Sequence, residues 1–346
     1  MTAVGRVRLE RQYVSCTVGG CFPADAIVGV NGYVTRAAER MAVLAGARDS
    51  FARAQTTLRE LAGWELDDEV IRQLTHAASR RLSARRPERA DAERFAVAEG
   101  VVETQIDAGT VNTLTGWRDV KMALFCRRAL GEPATPAEWS ERELPAPQLR
   151  TVVANIEEAS AFAERVRAEA DRLDVTTAED VTVLGDGADW IWNLASDVLP
   201  QAAGMLDVFH ALEHTSDTVK AIWGHDNAES SRQQQAARTA LLVHGKAGLE
   251  QWVGAAFGAL PAEASGDELR SLAGYFAAHP TRVHYAERLS QGRSIGSGQI
   301  EGSVKQLVNR RLKITGARWR VEHVGPLVEI AALIDTPDWS SCWTAA

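Results

Sequence analysis

Two apolar stretches, VVETQIDAGTVNT (101–113) and WRDVKMALFCRR (117–128), follow one another with only LTG between them. Both read as strands, and a gap that short permits only an antiparallel hairpin. Later strand-like runs lie among helical ones. RTVVANIEEASAFAERVRAEADRLD (150–174) predicts one amphipathic helix, VTVLGD (181–186) a short buried strand and WIWNLASDVLP (190–200) a helix. GMLDVFH (204–210) predicts another strand, leading into the helix ALEHTSDTVKAIWG (211–224). A hairpin followed by alternating helices and strands defines an α/β chain, in which helices cover a sheet.

The flanks are helical. Residues 34–82 divide into TRAAERMAVLAGA, DSFARAQTTLRELAG with Asp49 or Ser50 as its cap, and WELDDEVIRQLTHAASRRL. The turn AGWELDD between the last two resembles that of a helix-turn-helix, a geometry shared by plain helical bundles. Residues 226–290 read as helical throughout, and residues 297–314 as a helix carrying Glu301. The expected organisation is an N-terminal helical, candidate DNA-binding region (1–98), an α/β domain (99–335) that contains a helical block at about 211–290, and a C-terminal tail (336–346).

The net charge of −8 argues against a nucleic-acid partner only on average. Residues 80–89, RRLSARRPER, hold five arginines and one glutamate, and residues 293–323 hold seven Lys/Arg and two glutamates, a net of +5. Residues 150–189 carry four arginines against ten acids, a net of −6. No apolar run has the length of a membrane span, and the N-terminus shows no apolar signal core, so a cytoplasmic protein without a membrane partner is expected. Four scattered cysteines do not make a disulfide framework.

Acidic residues stand where apolar ones are expected. Asp107 lies within a strand, where an unpartnered carboxylate is costly to bury. Asp186 and Asp207 stand at strand ends, the edge at which open α/β sheets bind ligands, and Gly187 keeps side-chain bulk away from Asp186. Glu301 follows a Gly-Ser-Gly loop and precedes a basic helix. Such a set suggests an oxygen cage for hard divalent cations, Mg²⁺ or Mn²⁺, of the two-metal kind that serves phosphoryl transfer. Lys305, Arg310, Arg311, Lys313, Arg318 and Arg320 would then meet DNA phosphates, and Lys121 is either another such contact or an exposed strand-edge lysine. Trp190 and Trp192 are expected to pack a helix, the alternative being stacking on an unpaired base.

QIDAGTVNTLTGWRDVKMALFCRR, VLGDGADWIW, LDVFHALEH and GSGQIEGSVKQLVNRRLKITGARW, with the ending DWSSCW, resemble in that order the ISKra-like family of bacterial insertion-sequence DDE transposases. The resemblance runs over most of residues 10–345. It implies an RNase H-like core, metal-dependent phosphodiester hydrolysis at the element's ends and strand transfer to target DNA by a homo-oligomer. The family's catalytic acids match Asp107, Asp186 and Glu301, at intervals of 186 − 107 = 79 and 301 − 186 = 115 residues. Asp207 and His210 match its D/C-x-x-H element beside the site. The chain departs from the family pattern in being shorter at its N-terminus and in separating Cys16 from Cys21 by four residues where C-x-x-C is usual, which leaves only a weak zinc pair. A catalytically impaired, transposase-derived DNA-binding protein is the alternative.

One pentapeptide points elsewhere. His210-Ala-Leu-Glu213-His214 spells H-x-x-E-H, the inverzincin zinc-peptidase signature, with both histidines on one helical face. That reading leaves Asp107, Asp186 and the basic C-terminal segment without a role. The expectation is that His210 ends a strand beside a metal–carboxylate site, and that Glu213 and His214 begin the helical block.

Overall fold

A computed structural model describes residues 1–344 apart from Val18 and Gly32. The expected hairpin forms from β1 (Val101–Thr113) and β2 (Gly116–Arg128), paired from Val101↔Arg128 to Thr113↔Gly116. β2 also pairs antiparallel with β3 (Leu149–Asn155), while β1 pairs in parallel with β4 (Val181–Gly185), and β4 with β5 (Ala203–Leu206). The spatial order is β3-β2-β1-β4-β5, a mixed five-stranded sheet with β1 at its centre.

Helices follow in chain order. They are α1 (Arg36–Arg48), α2 (Phe51–Ala62), α3 (Asp68–Ala84), α4 (Asp91–Val97), α5 (Ala159–Arg172), α6 (Asp189–Val198), α7 (Val208–Trp223), α8 (Ala228–Gly258), α9 (Asp267–Ala277), α10 (Tyr285–Ser290), α11 (Gly298–Val304), α12 (Val321–Ile334) and α13 (Asp338–Thr344). Shorter pieces include a hairpin of Val14–Cys16 with Gly19–Cys21, and a π-helical turn, Lys305–Asn309, that continues α11.

Both faces of the sheet are covered. Ile106, Ala123, Phe125, Val153 and Val183 pack with Phe162 and Val166 of α5 and Ile191 of α6. On the other face Val111, Val120, Met122 and Leu124 meet Ile300 and Val304 of α11 and Val324, Leu327 and Val328 of α12. Double coverage explains why β1 and β2 look nearly continuously apolar instead of alternating. The far end of α12 (Ile330, Leu333, Ile334) packs with Val43, Ala78, Leu82, Trp339 and Trp343. This one helix therefore joins the sheet to the N-terminal helices and to α13. The expected tail is thus, as far as it is described, a docked helix, with Asp338 paired to Arg94 at 2.6 Å.

Two sequence expectations change. The helix expected over 150–174 is a strand followed by a helix: Leu149–Asn155 joins the open edge of β2, and α5 starts only at Ala159. Its β-branched run Thr151-Val152-Val153 suits a strand, and pairing satisfies backbone groups that a helix would have left bare along β2. The strand expected over 204–210 ends at Leu206, because Asp207 caps α7 by accepting the backbone N–H of His210 at 2.9 Å. The pair α2 and α3, whose turn resembles that of a helix-turn-helix, clusters with α1 around buried Trp64 and Ile71. The inner face of α3 also meets α12, leaving Gln73, Ala77 and Arg80 on its outer face.

The stretch from α7 to α10 contains no strand among the described residues. Gly245 kinks α8 (φ 56°, ψ −137°), and a Cβ there would lie 2.7 Å from the carbonyl oxygen of Val283. Glycine answers both demands.

Candidate metal centre

Register places the first two acids side by side. Ile106 pairs with Gly185, so Asp107 and Asp186 are the next residues along adjacent parallel strands. Asp186 lies just past the end of β4, where its carboxylate accepts the backbone N–H of Ala188 at 2.8 Å. Its own carbonyl accepts the indole N–H of Trp192 at 2.8 Å, so Trp192, which is buried, serves packing. Asp207 also returns to this edge, its N–H donating to the Gly185 carbonyl at 2.8 Å.

Glu301 arrives from α11 through two tethers. The backbone N–H of Ile300 donates to the Gln105 side chain at 3.1 Å, and the hydroxyl of Ser297 donates to Asp207 Oδ2 at 2.8 Å. Beneath them, buried Glu103 accepts from Ser294 and Gln105 and pairs with Arg128 at 3.4 Å. Sequence reasoning missed Glu103, Gln105, Ser294 and Ser297. A signal was present: Glu103, Gln105 and Asp107 recur at a spacing of two, a polar line along one side of an apolar strand.

Among the described residues Glu301 groups with Asp207 and His210, and Asp107 and Asp186 stand beside that group at the sheet edge. Burial pushes the Asp107 carboxyl up to about 6, against the pull of the Ala108 N–H, and the charges of Asp186 and Glu301 push it the same way. The hydrogen bond from His210 to Asp207, with the nearby charges of Asp186 and Asp107, raises the imidazole to about 9 despite partial burial. Burial alone would raise Asp207, but hydrogen bonds from His210 and Ser297 outweigh it and hold the carboxyl below its usual range. Metal-ligating atoms of Asp207, His210 and Glu301 lie within 4.8 Å of one another. This carboxylate–histidine group could hold a metal ion.

The helical block reaches the site. Tyr275 of α9 lies over Gly187, where a Cβ would come within 2.3 Å of its ring. His214 packs against the same ring, with centroids 4.1 Å apart, and Glu213 is exposed. Of the H-x-x-E-H residues only His210 joins the metal-binding group, so the two histidines of a zinc helix do not act together among the described residues.

The basic segment lies beside the site. Lys305 Nζ is 3.3 Å from Glu301, and Arg310, Lys313, Arg318 and Arg320 are exposed. Arg311 corrects the expectation. It is buried, donates to the Gly46 carbonyl at 3.0 Å and is sandwiched between the rings of Phe51 and Trp319. It fastens the N-terminal helices to the C-terminal segment and has no face for phosphate. Lys121 donates to the Glu157 carbonyl at 2.8 Å and lies over Trp190, so both serve local packing. In the 80–89 run, Arg81 pairs with Glu39 and Arg86 with Glu169. Cys16 and Cys21 are exposed on the hairpin, and no group of three ligands among the described residues includes them. No described helix is long and apolar enough to cross a membrane. Comparison with protein families and with curated proteins returns no match for the chain.

Proposed function

We propose that this chain is a DDE-type DNA transposase with an RNase H-like core, cleaving phosphodiester bonds at the ends of an insertion sequence and joining them to target DNA. One observation carries the reading. Register sets Asp107 beside Asp186 on adjacent parallel strands, and Glu301 is brought to them from near the end of the chain by the tether of its neighbour Ile300 to Gln105, two residues before Asp107. The strand order β3-β2-β1-β4-β5, with Asp107 on the central strand and Asp186 at the end of its parallel neighbour, supports it.

The donor set suits hard divalent cations. Carboxylate oxygens are their ligands, and a cation would stabilise the charged form of a carboxyl such as Asp107 that burial disfavours. Asp107, Asp186 and Glu301 would hold a pair of Mg²⁺ or Mn²⁺ ions, which when bound supply Lewis-acid activation of the attacking and leaving oxygens. The residues do the rest. Exposed Arg310, Lys313, Arg318 and Arg320 meet phosphates flanking the scissile bond, and Lys305 adds a positive charge beside Glu301. Tyr275 and the block that carries it wall the site on the Asp186 side. DNA is the partner, and a homo-oligomer would hold the two ends together.

The test uses end-labelled duplexes covering both flanks of the gene, intact and pre-nicked, with Mg²⁺ or Mn²⁺. Expected is metal-dependent cleavage at a fixed position and joining of the free 3′ end, both lost in EDTA and in Asp186→Asn. Cleavage that persists in EDTA, or no product from any flank, defeats the proposal.

A further inference from the structure

We propose that His210 is a nitrogen ligand of the metal centre, aimed by Asp207, and that it makes the site prefer a divalent transition metal such as Mn²⁺ over Mg²⁺. This deepens the metal reading above and does not depend on the DNA chemistry.

Asp207 and His210 both lie within reach of Glu301, but they are not equivalent. Both Asp207 oxygens are already engaged. Oδ1 accepts the backbone N–H of His210 at 2.9 Å and faces its Nδ1 at 3.1 Å, and Oδ2 accepts the backbone N–H and the hydroxyl of Ser297. The carboxylate is fully buried and caps α7, so it could ligate only by abandoning the helix start and the loop that carries Glu301. Its role is orientation.

That role decides the chemistry of the ring. With Nδ1 held against Asp207, Nε2 is the ring nitrogen left to face a metal, which on binding takes the place of its proton. A carboxylate holding the far nitrogen of an imidazole is the arrangement that fixes metal-ligating histidines. His210 is also fixed at its backbone, in the first turn of α7, and its side chain is 34% exposed, enough for an ion to reach it. The ions that make up its surroundings are Asp107, Asp186 and Glu301, the carboxylates of the proposed centre. Replacing one oxygen donor by imidazole favours later first-row divalent ions, whereas Mg²⁺ favours oxygen donors alone.

The test takes the metal-free full chain without DNA, titrates it with MnCl₂ by electron paramagnetic resonance, and repeats the titration against competing Mg²⁺. Pulsed measurements on the bound ion read nitrogen coupling directly. Wild type should bind Mn²⁺ in preference to Mg²⁺ and show coupling to one imidazole nitrogen. Asp207→Asn should weaken Mn²⁺ about 10- to 100-fold. His210→Ala should lose the coupling, weaken Mn²⁺ at least as much and leave Mg²⁺ nearly unchanged. Bound Mn²⁺ without nitrogen coupling in wild type, a result independent of whether any variant folds, overturns the proposal, as does Mn²⁺ binding by His210→Ala equal to wild type. Absence of Mn²⁺ binding by wild type overturns it together with the metal reading itself.

Discussion

Replacing Asp107 by Asn tests whether the metal-free centre holds its central carboxylate at a cost in stability. The Asp107 carboxyl is raised from 3.8 to about 6, with burial the largest cause and the charges of Asp186 and Glu301 acting the same way. The sign follows from linkage. A carboxyl whose folded pKa lies above its unfolded one is most favourable to folding when protonated, below pH 3.8, and loses that contribution as the pH rises through about 6. At pH 7.5 the penalty reaches about 3 kcal/mol at 1.36 kcal/mol per unit, and screening at this incompletely buried site reduces it to about 2 kcal/mol. At pH 5 roughly half of it remains. Asn keeps the volume, and its carbonyl oxygen can still accept the Ala108 N–H that Asp107 accepts at 2.7 Å. In EDTA, urea denaturation should therefore show Asp107→Asn more stable than wild type by about 2 kcal/mol at pH 7.5, with the gap halved at pH 5. Saturating Mn²⁺ should reverse the order. An ion at about 100 times its dissociation constant adds about 2.7 kcal/mol to wild type and much less to a variant lacking a ligand. A variant no more stable than wild type at pH 7.5, or a gap that does not change with pH, would refute the reasoning.

Asp186→Asn should leave the circular dichroism spectrum unchanged while end cleavage falls by about three orders of magnitude or more, a barrier increase of about 4 kcal/mol. Glu169 is buried between Arg172 and Arg86 at 2.7 Å from each; burial works against its charged form, but these hydrogen bonds lower the carboxyl to about 2. Its contribution is present above pH 4.5 and lost as the pH falls through about 2, so Glu169→Gln should destabilise by about 3 kcal/mol at pH 7 in urea titrations and flatten the acid limb of the stability profile. The two neighbouring arginines should separate cleanly. Arg310→Ala should lower the salt slope of DNA binding by about one with stability unchanged, whereas Arg311→Ala should lower the unfolding midpoint without changing that slope.

Part of this molecule is written locally. Periodicity alone placed the β1–β2 hairpin and the strand that delivers Asp186, because an unbroken apolar run ended by a turn has few other outcomes. The cap of α2 was readable to within one residue, Asp49 or Ser50, and the structure uses the Ser50 hydroxyl, which accepts the Arg53 N–H. Asp107 stood out as an acid inside an apolar run. What sequence could not decide were matters of partner. Residues 149–155 became a strand because β2 offered an open edge, a fact that lies more than twenty residues away in the chain. Arg310 and Arg311 are adjacent and chemically identical, yet one faces solvent and the other holds Gly46, because burial depends on what packs above a residue and not on its type. The same holds at the centre. The family resemblance paired Asp207 with His210, but only the return of Ser297 and Glu301 to the sheet edge engaged Asp207 on both sides and left His210 beside Glu301.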